Sequence, residues 1–235
     1  MPVVGSPLTT LPRDPIVQNM NAPRNALTAL FDLDGTLIDS IELIWSCYRH
    51  TALVHTSRAP ADEFWLAGLG RPLEWQFAQV TDDPAEVQRM VVTYRAYNHA
   101  HHDAMVKRYP GAVEAVRALK RRGARVGVVT SKLRSTAHRG LAFCGFDGLF
   151  DVVIGADDVQ HPKPDGEPVR RALDALGALP DSAIMVGDSP HDIASGRAAG
   201  VRTAAALWGP FPRSWLEPDP PDYWLAQPSD IALLS

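Results

Sequence analysis

Leu27-Thr28-Ala29-Leu30-Phe31-Asp32-Leu33-Asp34-Gly35-Thr36 is the stretch from which the architecture can be read. A nearly unbroken apolar run stops abruptly at two carboxylates and a glycine. Strands buried on both faces look like this, and such strands belong to parallel sheets covered by helices. Asp32 and Asp34 would then stand at a strand's carboxyl end, where open α/β sheets bind their ligands.

Working outward, the residues after this turn change period. Asp39 with Glu42 resembles a capping box opening a helix, with Ile41, Ile44, Trp45, Tyr48 and Ala52 on one face. Shorter helical pieces follow near 61–67 and 73–80. Asp83-Pro84 opens a long helix striped by Val87, Met90, Val91, Tyr94 and Tyr97. No strand is expected between Ser40 and Val106. Beyond Tyr109-Pro110-Gly111 helices and strands alternate: strands Arg125–Val129, Val152–Ile154, Ala183–Val186, Arg202–Ala206 and Tyr223–Leu225, with helices stopping at Gly123, Gly145, Gly177 and Gly200. The expected fold is α/β, a doubly wound parallel sheet with a second, smaller all-helical cap domain. The core would comprise residues 26–39 and 107–235 and the cap 40–106, after a mobile N-terminal tail, 1–25, marked by prolines at 2, 7, 12, 15 and 23.

Composition removes whole classes of function. The 235 residues are 46% apolar and 21% charged, with 23 basic against 27 acidic side chains and a net charge of -4. There is no basic excess for nucleic acid or an anionic membrane, and no run approaches the roughly 20 apolar residues of a membrane span. The N-terminal residues lack the basic and apolar regions of a secretion signal. Two cysteines, Cys47 and Cys144, form no metal spacing and are expected inside helices, so the expectation is a reduced, cytoplasmic protein with no obligate protein partner.

The polar residues just after the predicted strands converge on one chemistry. They are Asp32 and Asp34 after the first, Thr130-Ser131-Lys132 after the second and Gly187-Asp188-Ser189 after the fourth, with Lys163 between Pro162 and Pro164 in the loop after the third. Asp32 and Asp188 could supply the oxygen ligands that Mg²⁺ prefers. A carboxylate attacks a phosphate dianion only when a cation offsets their repulsion, and Mg²⁺ with Lys163 would do so. Thr130 could hold a phosphate oxygen. Asp34 could protonate a leaving group and later take a proton from water, and Gly35 allows the tight turn.

These segments resemble the four motifs of the haloacid dehalogenase superfamily: Phe31 to Leu37, Thr130, Lys163, and Gly187-Asp188-Ser189-Pro190-His191-Asp192. The helical block is similar to the cap of its phosphoglycolate phosphatase-like branch. The resemblance implies Asp32 as nucleophile, Asp34 as general acid and base, and Mg²⁺ on Asp32, Asp188 and the Asp34 carbonyl, with Thr130 and Lys163 on the phosphoryl group. Haloacid dehalogenases that attack carbon lack the second aspartate of the first motif, so Asp34 favours phosphoryl transfer. Thr93-Tyr94-Arg95, Asn98, His101-His102-Asp103 and Asp157-Asp158-Val159 are similar to the bacterial inorganic pyrophosphatases of this branch. The substrate expected is pyrophosphate or a small phosphorylated metabolite such as phosphoglycolate. A phosphosugar mutase of the same superfamily and a non-catalytic phospho-accepting module are the alternatives; the latter lacks a helical insert and a second aspartate.

Several residues carry two readings. Asp192 completes a cap pattern with Ser189 and is also a candidate for the metal shell, two compatible roles. Thr130 and Ser131 read as a helix cap or as phosphate ligands. His101 and His102 point about 100° apart on a helix and do not chelate together, so a surface pair is expected. Trp45, Trp65 and Trp75 are expected in the cap core. Arg71, in the Gly68-Leu69-Gly70-Arg71-Pro72 loop, is the candidate for reaching a second anionic group of the substrate.

Overall fold

The computed structural model describes residues 26–235, so the expected tail lies outside the described residues. β1 (Thr28–Phe31) is buried at every position. β2 (Ile38–Asp39) follows the acidic turn, and then come α1 (Ile41–Thr56), α2 (Asp62–Leu66), α3 (Leu73–Phe77) and α4 (Pro84–Met105). β3 (Lys107–Arg108) brings the chain back and pairs antiparallel with β2, Ile38 opposite Arg108 and Asp39 opposite Lys107. The remaining elements are α5 (Ala112–Arg121), β4 (Arg125–Val129), α6 (Arg134–Phe143), β5 (Val152–Ile154), α7 (Glu167–Leu176), β6 (Ala183–Gly187), α8 (Pro190–Ala198), β7 (Arg202–Ala206) and β8 (Tyr223–Leu225).

Six strands form one sheet in the order β5-β4-β1-β6-β7-β8, every neighbouring pair parallel. The chain builds outward from β1 to β5, then restarts at β6 on the other side of β1. Connections therefore diverge at β1 and leave a crevice at its carboxyl end. Side chains alternate between two layers, as strand geometry demands. Phe31, Val128 and Val186 join Val113, Val116 and Leu119 of α5 on one face. Leu30, Val129 and Met185 join Val169, Ala172 and Leu173 of α7 on the other. Helices cover both faces, which lets the central strands be apolar throughout.

The helices between β2 and β3 have an aromatic centre. Tyr48 of α1 stacks on Trp65 at 4.7 Å and lies 5.0 Å from Tyr94 of α4 and 5.8 Å from Phe77 of α3. The long helix begins as expected, with the Asp83 carboxylate accepting the Ala85 N–H and Pro84 at the first position.

Four expectations are corrected. Asp39 does not cap α1: it is the end of β2, and Ser40 holds the cap position without capping. Trp75 is 38% exposed rather than in the core, because α3 turns it outward beneath Arg71. His102 is buried, not on the surface; it packs beside Phe143 of α6 and bonds Asp103 at 2.7 Å. Cys144 lies just past α6 rather than within it.

Candidate active site

β1 ends at Phe31, and the next four residues turn so tightly that the N–H groups of Leu37 and Ile38 both donate to the Leu33 carbonyl. Gly35 is at φ +82°, and a Cβ there would meet the Asp188 carboxylate at 2.8 Å. Only glycine meets both demands. The turn carries Asp32 to the centre of the sheet edge, where loops after β4, β5 and β6 meet it.

Asp32, Asp188 and Asp192 each present a carboxylate oxygen within 4.8 Å of the others, all three buried. The Lys163 ammonium lies between two of them, 2.7 Å from Asp32 Oδ1 and 2.7 Å from Asp192 Oδ1. Three carboxylates to one ammonium leave a buried excess of negative charge, which is costly without a further cation. The titration behaviour has the same cause. Burial pushes Asp32 up to about 7 against the pull of Lys163, with Asp192 and Asp34 adding to the rise. Burial and then the charges of Asp192 and Asp32 hold Asp188 well above the carboxylate range. Burial alone would lower Lys163, but Asp192 and Asp32 overrule it and keep the ammonium charged. An all-oxygen, net-negative pocket fits a hard divalent cation.

Asp192 completes the cap of α8 as expected, with Ser189 at the cap position: the Asp192 Oδ2 accepts the Ser189 N–H at 3.0 Å and the Ser189 hydroxyl at 2.6 Å, and the Ser189 hydroxyl accepts the Asp192 N–H at 3.2 Å. The other Asp192 carboxylate oxygen is the one on Lys163, so the same side chain anchors α8 and orients the lysine. Asp188 accepts the Thr36 hydroxyl at 2.8 Å. Asp34 stands apart from the cluster; its Oδ1 accepts from both the Ser40 hydroxyl and the Lys132 ammonium.

A cavity of about 730 Å³ opens above the cluster, walled on one side by the sheet edge and on the other by α1, α4 and the loop before α3. Asp32, Asp34, Asp188, Thr130, Ser131 and Arg71 line it. Lys163, Asp192 and Gly35 lie behind this wall, in contact with residues that form it. Ser131 donates to the Gly70 carbonyl, joining the loop after β4 to the helical insert. Thr130 Oγ1 accepts the Lys132 N–H at 3.2 Å within the loop, but neither Thr130 nor Ser131 caps α6, whose cap position is Leu133, and both line the cavity. The Arg71 guanidinium lies 4.5 Å above the Trp75 ring.

Sequence reasoning assigns no role to three side chains and one further segment. Lys132 was in view after β4 but without a partner. Thr36 lies inside the first motif with no role of its own, and Ser40 enters only as the boundary of the helical block. Residues 207–212, directly after β7, offer no acid or base, so a search for polar strand ends skips them. Yet Trp208 Nε1 donates to the Thr36 carbonyl at 3.0 Å, Phe211 lines the cavity, and a Cβ on Gly209 would fall 2.3 Å from Asp188 Cβ. The closeness of Gly209 to Asp188 is legible only in three dimensions.

Comparison with known proteins agrees with this fold. The family model of the haloacid dehalogenase-like hydrolases matches residues 29–206. Pyrophosphatase PpaX of Bacillus cereus strain G9842 is 44% identical over 204 residues, covering 87% of this chain and 94% of its own. Among solved structures, a haloacid dehalogenase-like hydrolase from Bacteroides fragilis superposes with a TM-score of 0.82 at 28% identity, covering 87% of this chain and 98% of its own. A protein described as a phosphoglycolate phosphatase from Lactobacillus plantarum gives 0.78 at 25% identity, with 89% and 99% covered.

Proposed function

The chain belongs to the haloacid dehalogenase-like hydrolase family, and from that premise we propose that it is a Mg²⁺-dependent phosphohydrolase that works through an aspartyl-phosphate and takes pyrophosphate as substrate. The observation that carries this is the convergence of Asp32, Asp188 and Asp192 on one point beneath the cavity, with Asp34 at its wall. Asp32, Asp188 and the Asp34 carbonyl would hold the metal, with Asp192 in its surroundings. Mg²⁺ there would supply positive charge to the phosphoryl oxygens.

The chain's own groups divide the remaining work. Asp32 uses a carboxylate oxygen to form the new bond to phosphorus, while Lys163 holds Oδ1 and offsets the repulsion between the two anions. As the phosphorus–oxygen bond to the leaving group breaks, Asp34 gives that oxygen a proton. Water then attacks the phosphoryl group, its proton passes to Asp34, and the Asp32–phosphorus bond breaks to return the carboxylate. Thr130 and Ser131 bind phosphoryl oxygens, and Arg71 meets a second anionic group. Residues 40–106 act as a cap over a core of 26–39 and 107–235, excluding water so that these charges act at full strength.

Pyrophosphate is the substrate favoured by the 44% identical relative that bears that activity in its name. A second reading rests on the cavity itself. At about 730 Å³, with Ile44, Leu69, Leu73 and Phe211 in its walls, it offers apolar surface that a compact polyanion does not use. That surface suits a small organic phosphate monoester. The test is a Mg²⁺-supplemented panel of pyrophosphate, phosphoglycolate and sugar phosphates, scored for free phosphate, with Asp32→Asn as control. Phosphate release by wild type and its loss in a folded Asp32→Asn variant are expected. Isomerisation of a sugar phosphate without phosphate release would instead make the chain a mutase.

A further inference from the structure

We propose that Lys132 and Ser40 are positioning residues that hold Asp34 in register for proton transfer, an inference that rests on the phosphohydrolase reading above. Three observations lead to it. Ser40 occupies the residue before α1, where a serine normally accepts a backbone N–H. Here its backbone is at φ −119° and ψ 7°, it caps nothing, and its hydroxyl donates to Asp34 Oδ1 instead. Lys132, in the loop after β4, places its ammonium on the same oxygen, and the Lys132 and Asp34 side chains are only 14% and 16% exposed. Finally, both donors converge on Oδ1, which leaves Oδ2 as the oxygen without a partner among the described residues.

The reason for such a clamp is mechanical. The terminal torsion of an aspartate is broad and roughly two-fold, so the side chain does not set its own carboxylate plane. Two donors from separate elements on one oxygen do set it, and they direct the proton traffic to Oδ2. That oxygen gives its proton to the leaving oxygen in the first half-reaction and takes one from the attacking water in the second. Small misplacements of such a group are expensive in rate. Ser40 also adjoins β2, so the linker into the helical insert contributes directly to the general acid.

The experiment compares Lys132→Met and Ser40→Ala in the wild-type and Asp34→Asn backgrounds, using glycerol 2-phosphate, p-nitrophenyl phosphate and pyrophosphate with saturating Mg²⁺. Nitrophenolate leaves without a proton, whereas the glycerol oxygen needs one. Lys132→Met is expected to lower kcat on glycerol 2-phosphate roughly tenfold to a hundredfold with little change in KM. With p-nitrophenyl phosphate the first release of nitrophenolate stays fast and the following release of phosphate slows. In the Asp34→Asn background neither substitution costs more, and Lys132→Arg restores part of the loss. Ser40→Ala, a small truncation, is expected to show the same pattern more weakly. A raised KM with unchanged kcat, losses that multiply with Asp34→Asn, equal losses on both esters in the first turnover, or faster turnover would each overturn the clamp. A wild-type protein silent on all three substrates would overturn the phosphohydrolase reading itself.

Discussion

Lys163 stands between Asp32 and Asp192 with 2% of its side chain exposed, and its removal would leave carboxylates facing one another out of water. Breaking a buried ion pair on one side costs about 3–5 kcal/mol, so Lys163→Met should lower the urea midpoint strongly when measured in EDTA above pH 7. The loss should shrink on acidification. Asp32 is already raised to about 7 by burial, and without the ammonium it takes up its proton at still higher pH, relieving the repulsion as pH falls. A variant equally destabilised at pH 5 and pH 8 would contradict this. At this scale much was legible in advance: Asp32, Asp34, Thr130, Lys163 and Asp188 each follow a strand in the sequence. Ser40 and Lys132 were not singled out because their meaning is a contact with Asp34, and a hydroxyl or amine has no sequence mark for its partner.

Among the elements, α7 positions the loop that carries Lys163. Its first residue, Glu167, accepts the N–H groups of Gln160 at 3.1 Å and His161 at 2.8 Å, and these bonds, with smaller help from the His161 and Arg171 side chains, hold its carboxyl down at about 2. A carboxylate depressed on folding stabilises the protein above its ordinary value of 4.5, and that contribution fades as pH falls from there toward 2. Glu167→Gln should therefore be less stable than wild type at neutral pH, with the gap closing through acid unfolding; a gap that widens in acid would refute the assignment. Strand and helix periods were readable because each reports burial on one or two faces. The two-residue pairing of β2 with β3 was not, since Ile38-Asp39 and Lys107-Arg108 have no pattern of their own and become strands only by meeting.

For the molecule as a whole, the carboxylate cluster predicts that a divalent cation binds the folded chain and not the unfolded one. Mass action then raises stability by about 2.7 kcal/mol at a hundredfold excess over the dissociation constant. Mg²⁺ should raise the thermal midpoint, EDTA should reverse the gain, and Asp188→Asn should abolish the response; a midpoint indifferent to Mg²⁺ would argue against a cation site. The sequence alone determined the parallel sheet, the helical insert and the strand-end acids, because apolar period and turn chemistry are local properties of the chain. Only the tertiary structure decided that Asp192 serves Lys163 as well as its own helix, that Asp34 is held from two sides, and that the segment after β7 closes over Asp188. Most of those relations join residues far apart in sequence, such as Asp34 with Lys132 and Asp192 with Lys163, and they exist only once burial has forced charges and backbones together away from water.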